Sequence, residues 1–344
     1  MDKYSGYIID KFKELIAIDS TTGLYEEIQE YLINECAKLG YKTSCLHKGG
    51  VIADMGGEGD SLIIMSHADT IGLMVRHINS DGTLKVTNIG GLHAYCAERE
   101  CVRINTRKNG IYSGTVQRTH SCTHVTPMHE RDALADYDKN IVIVLDEDVS
   151  TADDVRRLGI AVGDIVSLEP RCSIINGYIK SRYIDDKMAI ALSLGVMKAM
   201  KDERRAPARN VKMIFTMYEE IGHGGSWLPE GTKDIISIDV MCTGPEQTGD
   251  EHKVSLVAKD SRFPYHFGML RELCDCAERN GIDFVIDVLT PSYGTDSDTA
   301  LAAGHDVRHA ALGFGTSATH GYERTHIDGV MKTAKLILNY ITGR

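Results

Sequence analysis

Seven side chains at five places along the chain have the types and positions that metal-assisted hydrolysis needs. Three apolar runs read as buried strands, and each leads into a group able to hold a divalent cation. Ser61-Leu-Ile-Ile-Met-Ser66 leads into His67, Val211-Lys-Met-Ile-Phe-Thr-Met-Tyr218 into Glu219 and Glu220, and Asp234-Ile-Ile-Ser-Ile238 into Asp239. In open α/β sheets, binding sites form outside the carboxyl ends of the strands. The fourth place is the pair Asp185-Asp186, just ahead of a helix beginning at Lys187, where free backbone N–H groups and the helix dipole favour carboxylates. The fifth is His320, in the loop of Gly315, Thr316, Ser317, Ala318 and Thr319 that follows a strand ending at Phe314. Singly, each has an ordinary reading as a helix cap, a turn residue or a hydrogen-bonded core histidine. Together they would crowd carboxylates at one sheet edge, where like charges repel. A pair of divalent cations relieves that repulsion, and nitrogen plus carboxylate donors suit Zn²⁺, Co²⁺ or Mn²⁺.

The elements that must position these groups are legible from hydrophobic periodicity. Residues 4–17 and 25–39 read as helices; in the second, Ile28, Leu32, Cys36 and Leu39 share a face and Gly40 supplies the stop. Further helices are expected over 187–202, 267–280 and 330–341, and further strands over 284–289 and 309–314. Strands alternating with helices indicate an α/β fold, a mostly parallel sheet flanked by helices. Between about 75 and 167 the texture changes. Asp81-Gly82 and Asn109-Gly110 each sit between strand-like runs, a strong hairpin signal, and 141–145 and 164–168 read as short strands with one helix over 151–158. The expected organisation is therefore a body of residues 1–74 plus 168–344 and an inserted small β-rich domain, 75–167.

Composition narrows the function classes. With 344 residues, 42% of them hydrophobic, the chain can build a full core in more than one domain. No apolar run approaches the roughly 18 residues of a membrane span, and the start, MDKYSGYIIDKFKELI, lacks the apolar stretch of a signal peptide. A cytoplasmic protein is expected. A formal net charge of −11 argues against nucleic acid or an anionic membrane as partner. The nine cysteines form no framework and are expected to be reduced and mostly buried.

The ordered motifs Ser66-His-Ala-Asp-Thr-Ile-Gly-Leu-Met-Val75, Asp185-Asp-Lys, Tyr218-Glu-Glu-Ile-Gly, Ser237-Ile-Asp-Val and Gly294-Thr-Asp resemble those of the M42 metallo-aminopeptidases, which include the glutamyl, deblocking and tetrahedral aminopeptidases. The resemblance spans nearly the whole chain, the β-rich insert included. It implies a di-metal exopeptidase-like fold and a role for each residue. Asp185 would bridge two metals, with His67 and Asp239 completing one centre and Glu220 and His320 the other. Asp69 would orient the imidazole of His67. Glu219 would be the general base, taking a proton from a metal-bridging water. Adjacent strand residues point to opposite sides, so Glu219 and Glu220 are expected to divide the tasks, one binding metal and the other facing the water. The resemblance also implies a homo-oligomer, often a dodecamer, assembled through the inserted domain and acting on short peptides.

The chain departs from the family pattern near the last ligand. The usual form is His-Ser-Pro followed by Glu; here it is Thr319-His-Gly-Tyr-Glu-Arg-Thr-His326. Counting back from the final helix favours His320 over His326 as the ligand, with His326 near the start of that helix and Asp328 capping it. His120, His124 and His129 read as loop or subunit-contact residues, and Gly222-His-Gly-Gly-Ser226 lacks the spacing and lysine of a phosphate loop. Gly294-Thr-Asp296-Ser-Asp298 reads as a flexible acidic loop beside the site, and Cys242 as a core thiol. The leading function is removal of N-terminal residues from short peptides. A two-metal amidase or deacylase acting on a non-peptide N-acyl compound uses the same ligands. A non-catalytic scaffold descended from a peptidase would have no chemical need for Glu219.

Overall fold

Ser61–His67 is buried at every residue, as a strand covered on both faces must be. In the computed structural model, which describes residues 1–344, it lies at the centre of an eight-stranded sheet. From one edge the order is Lys42–Cys45, Val51–Gly56, Asn210–Thr216, Ser61–His67, Thr232–Cys242, Arg308–Thr316, Val254–Lys259 and Phe284–Val288. The four central strands run parallel. Val51–Gly56 is antiparallel to both its neighbours, and Val254–Lys259 is antiparallel to Arg308–Thr316. The expected parallel sheet is thus a parallel centre within a mixed sheet. The link between Lys42–Cys45 and Val51–Gly56 is too short for the crossover that a parallel pair requires, so these two strands form a hairpin.

The sheet belongs to the larger of two compact units, made of Met1–Ile18, Tyr25–Asp69 and Arg171–Arg344. Helix Ile184–Asp202 packs on the His67 and Asp239 strands and against helices Ser5–Ile16 and Ile327–Thr342. Gly195 is what lets the first of these helices come close, because a Cβ there would stand 2.5 Å from Ile8 Cγ1. Lys187 is fully buried, its ammonium donating to the carbonyls of Leu15 and Ile18 at 3.0 and 2.6 Å. Helix Asp296–Ala302 places Ala300 in an apolar cluster with Ile63, Met65, Ile214 and Ile235. A small antiparallel sheet of Ser173–Ile175, Tyr178–Ser181 and Glu323–His326 completes the unit.

The smaller unit comprises Asp19–Leu24 and Thr70–Pro170. Its core is a closed six-stranded barrel in the order Gly72–Ile78, Leu84–Ile89, Ile141–Leu145, Gly110–Arg118, Cys101–Thr106 and Ile165–Leu168. Each strand contributes a buried aliphatic residue: Val75, Val86, Ile143, Val116, Ile104 and Val166. Closure leaves no sheet edge exposed. Helix Ala152–Leu158 opens on a capping box in which Thr151 and Asp154 satisfy each other's backbone N–H groups.

All nine cysteines are free, and only Cys36 and Cys276 are buried. Cys45, Cys101, Cys122 and Cys172 are exposed, against the expectation of mostly buried thiols, because they fall on an edge strand, a barrel rim and loops. No helix is long and apolar enough to cross a membrane.

Candidate metal centre

The carboxyl ends of the parallel strands bring the expected residues together. His67 is the last residue of its strand, in register with Thr216. Its Nδ1 lies 2.9 Å from the carbonyl of Asp69, which can only accept, so Nδ1 carries the proton. That leaves Nε2 facing Asp185 Oδ1 at 2.9 Å and Glu219 Oε2 at 3.7 Å. Asp185 turns its other oxygen the opposite way: Oδ2 is 3.6 Å from His320 Nε2, and that nitrogen is 3.5 Å from Glu220 Oε2. One carboxylate therefore stands between two imidazoles, with Glu219 on one side and Glu220 on the other.

Local backbone geometry produces this arrangement and corrects several expectations. The strand before Glu219 ends at Thr216, Tyr218 is left-handed at φ 71°, and Glu219–Ile221 is a single 3₁₀ turn. Strand alternation does not separate the two glutamates; the turn does. Asp69 holds that turn, its carboxylate accepting from the backbone N–H of Glu219 at 3.1 Å and of Glu220 at 3.3 Å. It orients His67 through its carbonyl rather than its side chain, whose oxygen is 3.7 Å from Nδ1. Asp239 lies inside the strand Thr232–Cys242, not at its end. His326 takes no part in the cluster. It is itself the N-cap of Ile327–Thr342, its Nδ1 accepting from Asp328 N at 3.1 Å, the reverse of the expected capping by Asp328.

Three further residues belong to this neighbourhood: Asp186, already in the expected acidic pair, Asp296, expected beside the site, and Glu323, to which the sequence reading gives no role. Asp186 is fully buried; its Oδ2 accepts from His67 N at 3.1 Å and its Oδ1 has no hydrogen-bond partner. With His67 and Asp239 it forms one set of closely spaced donors, while His67, Asp185 and Glu220 form another. Glu323, also buried, accepts from Asp185 N through Oε2 and from His320 N through Oε1, both at 3.1 Å. Asp296 is not in a flexible loop. It opens the helix Asp296–Ala302, whose N-cap Thr295 forms a capping box with Asp298, and it lines a cavity with His67, Glu219 and Asp239. Thr216 donates to its carboxylate. Gly224 and Gly225 pack against it: a Cβ on Gly225 would come within 1.9 Å of its carbonyl oxygen. That close approach accounts for Gly224 and Gly225, while Gly222 stands in the left-handed region at φ 72°. Asp186 is flagged by its place beside Asp185, whereas the polar surroundings of Glu323, Gly321-Tyr-Glu-Arg-Thr325, carry no signal of burial.

The electrostatics are those of a cluster short of positive charge. Burial, reinforced by the neighbouring carboxylates, pushes Asp186, Glu219, Glu220 and Asp239 well above the ordinary carboxyl range. Burial likewise lifts Asp296 to about 6. Asp185 alone is lowered, because its hydrogen bond to His67 and the charges of His67 and His320 outweigh its burial. Burial opposes a charged His67, but Asp185 and Glu219 overcome it and hold the imidazole well above its usual value. A buried carboxylate oxygen without a partner, an imidazole nitrogen aimed at carboxylates, and mutually repelling acids suit a divalent cation, which would replace the proton on that nitrogen. Two imidazole nitrogens with carboxylate oxygens fit zinc, cobalt or manganese.

Comparison with known proteins places the chain in a family. The pattern of the M42 glutamyl aminopeptidase family matches residues 49–336. YhfE of Bacillus subtilis (strain 168), itself a proposed aminopeptidase, is 36% identical over 337 residues, covering 97% of this chain and 96% of its own. The glutamyl aminopeptidase of Lactococcus lactis subsp. cremoris (strain MG1363) is 24% identical over 97% of this chain and 96% of its own. The solved structure of the Pyrococcus horikoshii TET1 peptidase, described as able to assemble into a tetrahedron or a large octahedral shell, superposes with a TM-score of 0.86 at 22% identity over 98% of this chain and 100% of its own. An aminopeptidase from Desulfurococcus kamchatkensis gives a TM-score of 0.86 at 20% identity, over 99% and 96%. A pattern match over most of the length, together with a relative above 30% identity over nearly all of it, shows that this chain belongs to the M42 family of metallo-aminopeptidases.

Proposed function

We propose that the chain removes N-terminal residues from short peptides by two-metal hydrolysis. The observation that carries this reading is the division of Asp185 between His67 and His320, with one glutamate on each side. His67 and Asp239 would hold one cation, Glu220 and His320 the other, and Asp185 both. Such a pair supplies Lewis acidity, polarising the scissile carbonyl and making water a nucleophile at neutral pH. Glu219, aimed at the same centre but needed as a ligand by neither cation, takes the proton from the attacking water and returns it to the departing amine. Asp69 fixes the Glu219-Glu220 turn from below, and Glu323 ties the Asp185 and His320 backbones together.

The barrel unit serves assembly in this proposal. Tyr95, Val125, Met128 and Leu134, all within it, are between 67% and 88% exposed, more apolar surface than a small independent unit needs to show. A homo-oligomer joined there, with access restricted to short peptides, suits an enzyme whose relatives include a shell-forming peptidase. The test is a panel of amino-acid arylamides and short peptides, run on metal-stripped protein reloaded with zinc, cobalt or manganese, with metal content measured in parallel. About two metals per chain with arylamide turnover is expected. Turnover confined to N-acyl non-peptide compounds would favour the amidase reading, which the same ligands would serve.

A further inference from the structure

A second cluster of donor atoms stands apart from the catalytic residues. His252 lies in the turn 250–253, which is held by Asp250 accepting from His252 N at 2.7 Å and by its carbonyl accepting from Lys253 N at 3.1 Å. His326 ends the strand Glu323–His326, and Asp328 sits in the first turn of Ile327–Thr342. The two imidazole rings are 4.1 Å apart, centre to centre. Asp328 Oδ2 is 3.1 Å from His252 Nδ1 and 3.4 Å from His326 Nδ1. One donor atom from each of the three residues lies within 4.8 Å of the others.

The protonation pattern around His326 makes this more than proximity. Its Nε2 faces the carbonyl of Asn176 at 3.3 Å, and a carbonyl can only accept, so Nε2 carries the proton. Its Nδ1 accepts from Asp328 N and so carries a lone pair. That lone pair is held by the Asp328 N–H; a cation drawn to Nδ1 and the nearby Asp328 carboxylate would take the place of that hydrogen bond. Imidazoles that bind metals characteristically donate their other nitrogen to a carbonyl, carboxylate or water. The carbonyl of Asn176 does this for His326, and the hydroxyl of Tyr178, 3.5 Å from His252 Nε2, is placed to do it for His252. Ligands about 2.0–2.1 Å from a tetrahedral centre stand roughly 3.3–3.4 Å from each other, close to the separations seen. The positive groups nearby are already matched. Arg324, stacked on Tyr178, is paired with Glu251 at 2.6 Å, and Lys253 with Asp250 at 3.4 Å.

We propose that His252, His326 and Asp328 form a surface site for one divalent transition cation of the zinc, nickel and copper class, with water in the remaining position. The cation clamps the turn before strand Val254–Lys259 onto the start of the last helix. It is separate from the two-metal centre and does not depend on that centre's chemistry.

Zinc titration of the full chain, after its catalytic centre has been loaded and excess metal removed, tests the site. His252 is 43% exposed at its side chain, so His252→Ala leaves the core intact; Asp328→Asn keeps shape and removes charge. His326→Ala is avoided because it also deletes a helix cap. The parent is expected to take up one more zinc per chain than either variant at micromolar free zinc. That extra zinc should raise the parent's unfolding temperature but not that of the variants. Copper added in place of zinc should show two nitrogen couplings by electron paramagnetic resonance in the parent and one in His252→Ala. Equal zinc uptake by the parent and both variants would overturn the assignment, whatever the catalytic centre is found to hold. A shared acid-dependent change with no metal uptake would mean that a proton, not a cation, fills the gap.

Discussion

Replacing Glu323 by glutamine changes one oxygen to an amide nitrogen in a side chain that is 2% exposed, and leaves its shape almost untouched. Both carboxylate oxygens now accept backbone N–H groups, one from Asp185 and one from His320. Glutamine can serve only one of them. Whichever way its amide turns, an NH₂ meets a backbone N–H. The loss is one charge-assisted hydrogen bond, about 1.5–3 kcal/mol, or roughly 10–150-fold in an equilibrium at 1.36 kcal/mol per decade. There is an opposing term. Burial and the charge of Asp185 push the Glu323 carboxyl well above its ordinary range, so in metal-free protein the neutral amide relieves a repulsion.

The two terms separate by metal state. Without metal, Glu323→Gln should melt at or above the parent temperature. With metal, the affinity of the His320-side centre should fall by roughly 10–150-fold, from the lost charge-assisted bond, while the His67-side centre keeps its cation. Competition against a zinc-buffering chelator reads the affinity, and thermal unfolding with and without metal reads the sign. Unchanged affinity at both centres, or an equal loss of stability in metal-free and metal-loaded protein, would show that Glu323 does not act through the backbones of Asp185 and His320. Glu323→Ala, which orphans both N–H groups at about 1–3 kcal/mol each, should be destabilised in both states.

Other expectations follow from the same geometry. Glu219→Gln should keep both metals and lose turnover by roughly 10²–10⁴-fold, the usual worth of a general base, whereas Glu220→Gln should lose metal first; near-full turnover in Glu219→Gln would end its assignment as base. Asp185→Asn should weaken both centres together and Asp186→Asn only the His67 side, a pattern that elemental analysis after graded dialysis resolves; loss of both centres in Asp186→Asn alone would move the bridge to Asp186. Away from the site, burial lowers His309 to about 4 from 6.5, although Asp260 acts to raise it. Its neutral form is favoured in the folded chain, so stability is fully present above about 6.5 and is lost as pH falls toward about 4. His309→Phe should flatten unfolding free energy across that window, and an undiminished acid slope in the variant would contradict this cause.

What could be read from the sequence was whatever a period or a run encodes. Ser61–His67 and the helices at 5–16, 26–38 and 327–342 announce themselves because burial of one face or both leaves a pattern in residue type. So do the hairpins at Asp81-Gly82 and Asn109-Gly110. The positions of the ligands along the chain were legible for the same reason, since strand ends are where apolar runs stop. The geometry between ligands was not. It is set by backbone at Tyr183, Tyr218 and His320, all left-handed with φ of 66°, 71° and 60°, and none of them glycine. A tyrosine in that conformation carries no local sequence signal, because propensity disfavours it and only the surrounding structure imposes it. The same limit hid Glu323, which looks like an ordinary acidic residue until burial is known.

These three left-handed residues are also where the fold works against local preference. Tyr183 stands two residues before Asp185, Tyr218 immediately before Glu219, and His320 at its own ligand position. Each costs of order 1–3 kcal/mol relative to a relaxed backbone, and each lies where a chain leaving a strand must swing a carboxylate or imidazole toward a common point. Buried partners offset that cost: Asp69 on the Glu219-Glu220 turn, Glu323 on Asp185 and His320, and Asp186 on His67. Every one of these braces is itself a carboxylate. The braces therefore add to the negative charge that the proposed ligands already concentrate, and cations held by those ligands would stabilise the braces as well. Precise placement and metal binding are for this reason one property of the site. A substitution that removes a brace should be read first as a change in metal affinity, and only then as a change in turnover.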